Sequence, residues 1–92
     1  MQLQIIRVKA MNKQIFITLA QLKNGHSGQI LVISGGWGLQ RRLNQIGIHI
    51  GDHFRVTRNA ALGGPVMIMV HQAEIALGRG LAEHIVVELD QE

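Results

Sequence analysis

The sequence predicts a small, mainly β domain: a tightly bent barrel of five or six short strands carrying one short helix. Three observations point there. Hydrophobic residues make up 47% of the chain and are almost all aliphatic, with only Phe16, Trp37 and Phe54 aromatic; this composition suits β-branched strands on one core. Short apolar runs recur at close spacing, each bounded by glycine or polar turn residues. A chain of 92 residues buries only about 60–65% of its unfolded surface, so many short strands pack best in one curved sheet that also hides its edges.

Residues 3–8 alternate partly between apolar and polar and read as a short strand within an N-terminal arm, 1–15. Thr18, with Gln21 three positions later, is a capping-box signature for a brief helical turn, and Asn24-Gly25 is a turn signal. Gly28 to Ser34 is apolar and glycine-bounded, a strand. Gly35, Gly36 and Gly38 surround Trp37 in a flexible connection. Leu39, Leu43 and Ile46, at i, i+4 and i+7, form the core-facing stripe of a helix. Arg41, Arg42, Asn44 and Gln45 occupy its other sides, and Gly47 stands at a left-handed C-terminal cap.

Ile50-Gly51-Asp52 turns the chain into a strand over 53–58, where Phe54 and Val56 alternate with polar residues. Ala60 to Gly64 is a loop closed by Pro65. Val66–Val70 and Ala73–Leu77 are strands joined through His71-Gln72. Gly78-Arg79-Gly80 interrupts the pattern, and a short turn through Leu81–His84 leads to the last strand, Ile85–Leu89. Residues 90–92 are an acidic tail.

With no cysteine, neither a disulfide framework nor a thiolate metal site can form. No apolar run approaches the roughly 20 residues of a membrane span, and the N-terminus lacks a basic start followed by an apolar stretch. A soluble cytoplasmic protein is expected. Residues 1–60 carry a net charge of +7 and residues 61–92 one of −4. Such an asymmetry can attract nucleic acid, an anionic membrane surface or an acidic protein patch. The three aromatic residues are too few for a base-stacking platform.

Chemistry-bearing constellations are sparse. Gly-Gly-Trp-Gly lacks the downstream Lys-Ser/Thr of a phosphate loop. His49 and His53 would lie roughly 13 Å apart on an extended chain, too far for one ion, unless Gly51 turns them together. The two serines, Ser27 and Ser34, have no evident His or carboxylate partners, so no catalytic residues, cofactor or metal ligands are assigned and an enzyme is not expected. Trp37, Arg41 and Arg42 are the partner-binding candidates, since Trp and Arg are enriched at interface hot spots. The competing reading is a solvated helix face beside a Trp that covers the barrel end.

The order and spacing of these pieces resemble the FeoA family. Thr18-Leu19-Ala20-Gln21-Leu22, Gly25 and Gly28 look like its opening turn and strand. Gly36, Leu39, Arg42, Leu43, Ile46-Gly47-Ile48 and Gly51 are similar to its helix segment. Leu62 to Val66, Ile75 to Arg79, and Ala82, Ile85 and Val87 are similar to its remaining strands. The resemblance implies an SH3-like barrel over residues 16–89. It also implies a cytosolic accessory protein that binds FeoB, the bacterial ferrous iron transporter with a GTP-binding domain, and supports or regulates Fe(II) uptake. Neither nucleic-acid binding nor membrane insertion is expected, and a homodimer by edge pairing of the N-terminal strand is open. The alternative is a free-standing metal-sensing module like the C-terminal domain of DtxR-type repressors. Residues 1–15 depart from the family pattern, and the glycines at 78 and 80 are expected to weaken its short helix before the last strand.

Overall fold

A computed structural model describes residues 16–60 and 62–90. The chain forms six strands: β1 (Phe16–Thr18), β2 (Ser27–Ile33), β3 (His53–Asn59), β4 (Val66–Val70), β5 (Ala73–Leu77) and β6 (Ile85–Leu89). They make one antiparallel sheet in the order β1-β6-β2-β3-β4-β5. A 3-10 turn (Leu19–Gln21) follows β1, helix α1 (Trp37–Gln45) connects β2 to β3, and a one-turn helix α2 (Arg79–Ala82) precedes β6. The mainly β fold with one short helix after the first core strand is as the sequence predicts. The first described strand is Phe16–Thr18, while the arm at 1–15 lies outside the described residues.

The core follows from side-chain alternation. Phe54 and Val56 of β3, Val66, Ile68 and Val70 of β4, and Ile85 and Val87 of β6 point inward and are buried. In β2 a register shift between Ile30 and Val32 breaks the alternation, so Ile33 is buried and Val32 is exposed. Leu19, Leu22, Leu43, Ile48, Leu77 and Ala82 fill the same cluster from the turns and helices, and no described polar residue is buried in it.

Two local expectations need correction. Ile46 is not a core residue: α1 stops at Gln45, and Ile46 is 48% exposed. Its inward place is taken by Ile48, whose amide bonds back to the Leu43 carbonyl at 2.9 Å after the chain turns through Gly47 at φ +103°. The glycines at 78 and 80 do not remove the short helix either. It forms over Arg79–Ala82, with the Ala82 and Glu83 amides bonding to the carbonyls of Gly78 and Arg79 at 3.0 Å each.

The β2–β6 contact depends on an absent side chain. A Cβ on Gly28 would overlap the Glu88 carbonyl oxygen and sit 3.1 Å from Leu89 Cα. The β4–β5 tip instead places two non-glycine residues at positive φ, His71 at 50° and Gln72 at 70°, the backbone of a two-residue hairpin that matches strand twist.

Candidate partner-binding site

Helix α1 is entered through Gly35 at φ +99° and Gly36 at φ +94°, conformations that side chains other than hydrogen disfavour. A Cβ on Gly35 would also press on Leu39 Cδ2 at 2.7 Å. This tight entry seats Leu39 against the core and Leu43 within it. At about 100° per residue, the opposite side of the helix then carries Trp37 and Arg41, one turn apart, with Arg42 on its flank.

Trp37 is 82% exposed and Arg41 and Arg42 are exposed too. Trp37 therefore does not cover the barrel end. No described side chain makes a salt bridge to either arginine. An exposed indole beside two unpaired guanidinium groups offers a flat apolar surface and planar hydrogen-bond donors, a combination suited to a protein partner bearing carboxylates.

The polar groups elsewhere are arranged for structure. Ser34 does have a histidine partner, contrary to the sequence reading: its Oγ lies 3.2 Å from His84 Nδ1, and its amide bonds the His84 carbonyl at 2.8 Å. The β2–β6 pairing brings these residues together across 50 positions, which no local spacing reveals. The Ser34 hydroxyl also lies 3.3 Å from the His84 carbonyl, and no described carboxylate orients the ring, so the pair lacks the third member that activates a serine. Ser27 likewise donates to Asp90 at 3.0 Å.

His49 meets Asp52 and not His53. The Asp52 carboxylate accepts from the His49 amide at 2.8 Å and lies 3.5 Å from His49 Nδ1 and 3.0 Å from His71 Nε2. Burial works to raise the Asp52 pKa, but the hydrogen bonds from His71 and the His49 amide outweigh it and hold the carboxyl below its ordinary value. Among the described residues no three His, Cys, Asp or Glu side chains form a metal-binding group, and no helix is long and apolar enough to cross a membrane.

Sequence reasoning missed Arg79. Its guanidinium reaches the Ala20 carbonyl at 3.1 Å, the Ala60 carbonyl at 2.9 Å, the Gly64 carbonyl at 3.3 Å and the Asn59 side-chain oxygen. The one available signal was its isolation, as the only lysine or arginine after position 60.

Comparison with known proteins identifies the family and the fold. The family model for the FeoA domain matches residues 17–89. A protein of Methanocaldococcus jannaschii named Fe(2+) transport protein A is 43% identical over 70 residues, which are 76% of this chain and 83% of that protein. A crystal structure of an iron uptake regulatory protein (FeoA) superposes with a TM-score of 0.77 at 26% identity, covering 83% of this chain and all of that one. A manganese-dependent transcriptional repressor superposes with a TM-score of 0.76 at 23% identity, covering 85% of this chain and 44% of the repressor; that likeness is one of fold.

Proposed function

The chain belongs to the FeoA domain family, and from that premise we propose that it is a cytosolic, non-enzymatic accessory protein that binds the FeoB transporter and supports or regulates Fe(II) uptake. The observation that carries this reading is the exposed Trp37, at 82%, held on a helix whose other side is anchored by Leu43. A large indole left in water on a seated helix is a recognition feature, and interface energy concentrates on such residues. Arg41 and Arg42 supply charge on the same exposed side.

Co-purification of the full-length chain with FeoB from a membrane extract tests the proposal. Retention that survives Trp37→Ala combined with Arg41→Glu moves the contact to another face. No retention of the wild-type chain refutes the partner itself. The repressor-like alternative, a module that senses Mn(II) or Fe(II), predicts stoichiometric heat in calorimetry with either metal.

A further inference from the structure

A cavity of about 450 Å³ opens where the 3-10 turn, the Lys23-Asn24 loop, the end of β3 and α2 converge. Its size falls within the roughly 300–1,000 Å³ of small-molecule sites. Its polar lining is Gln21, Lys23, Asn24, Asn59 and Arg79, which includes two cations and no carboxylate.

The unused hydrogen-bonding capacity of that lining is donor capacity. Gln21 Oε1 accepts from the Thr18 amide at 2.9 Å, and Asn24 Oδ1 accepts from the Asn59 amide at 2.7 Å. Because both partners are backbone N–H groups, the orientation of each side-chain amide is fixed, and each keeps its NH₂ group for something else. Asn59 is used up internally: its oxygen accepts from Arg79 and its nitrogen donates to the carbonyls of Ala20 and Leu22. Gln21 Nε2, Asn24 Nδ2 and Lys23 Nζ remain.

Arg79 adds a charge that nothing described neutralises. Every acceptor it reaches is a neutral oxygen, and its Nε is buried with no hydrogen-bond partner. Bonds with an ionised donor or acceptor are roughly twice as strong as neutral–neutral ones. An anion would therefore strengthen the bonds from the neutral Gln21 and Asn24 NH₂ groups and would also neutralise the cations. The neighbouring concavity beside Thr57 and Met67 has no such bias, since it is lined by Arg58 together with Glu74, which already accepts from Thr57 at 2.8 Å.

We propose that this pocket binds a small oxyanion, a phosphate or carboxylate group, held by Lys23, the Gln21 and Asn24 NH₂ groups and the field of Arg79. The test is a titration of the full-length chain with inorganic phosphate and, separately, with acetate, each at ionic strength fixed by sodium chloride. NMR follows the Gln21 and Asn24 side-chain amides and Arg79 Nε–H. Saturable shifts confined to these groups are expected, and the probe that saturates at the lower concentration identifies the group. Asn24→Asp keeps the acceptor for the Asn59 amide but turns the donor into a negative charge, and weakens binding at least about tenfold. Lys23→Gln, at an exposed side chain with no role in the fold, weakens it by roughly threefold to tenfold. Shifts that stay linear for both probes, or wild-type affinity in both variants, overturn the proposal. Should Asn24→Asp fail to fold, Lys23→Gln alone decides.

Discussion

Asp52 and His71 meet at 3.0 Å, tying the turn that leads into β3 to the tip of the β4–β5 hairpin. The contact closes over a gap of 19 residues. With the Asp52 pKa held below its ordinary value and unperturbed in the unfolded chain, the link stabilises the fold above the ordinary carboxylate value. That contribution is lost as pH falls through the folded-state value. Urea midpoints for the wild type and Asp52→Asn should differ near neutral pH and converge in acid, by no more than about 1 kcal/mol because His71 is exposed.

Gly28 makes a sharper prediction. Alanine there must push β6 away from β2, since the added carbon would occupy the Glu88 carbonyl. The loss should be at least about 2–3 kcal/mol, read as a lowered urea midpoint or as failure to fold.

Replacing Trp37 with alanine should separate recognition from stability. The side chain buries almost nothing in the free protein, so the melting temperature should move by less than about 0.5 kcal/mol equivalent. Retention by FeoB should fall by roughly thirtyfold or more if Trp37 is the anchor, the effect of losing about 2 kcal/mol at a hot spot.

Arg79→Met keeps the apolar stem of the side chain but abandons four oxygen acceptors. A loss of about 1–3 kcal/mol is expected from the Ala60 and Gly64 carbonyls, which lose the Arg79 donor, while Ala20 keeps Asn59. Amide exchange should quicken first in the loop that joins β3 to β4, where Ala60 and Gly64 lose their tether.

Most of the fold was legible because it is written in local patterns. Val66–Val70, His71-Gln72 and Ala73–Leu77 could be read directly, since apolar alternation on either side of two polar residues has few other solutions. Leu39 and Leu43 announced the buried side of α1, and Gly47 its end. Ile46 misled because i+7 periodicity assumes that the helix continues, whereas the turn at Gly47 hands the inward position to Ile48. The candidate site was visible only as residue types. Trp37 could be named, yet its exposure depends on how Gly35 seats Leu39. Contacts such as Ser34–His84, Asp52–His71 and Arg79–Ala20 join positions 19 to 59 residues apart, and no window of sequence contains both members.

The place of β6 in the strand order has a consequence for synthesis. Among the described strands, the last in sequence, β6, lies between β1 and β2, so β1 meets its described partner only after residues 85–89 have been made. Chains released without residues 85–92 should hold β2 through β5 as a sheet with a bare edge at β2, exposed to chaperones and to other chains. Completion then waits on a contact between the two ends of the domain, a non-local closure of the kind that sets folding on a scale of roughly milliseconds to seconds.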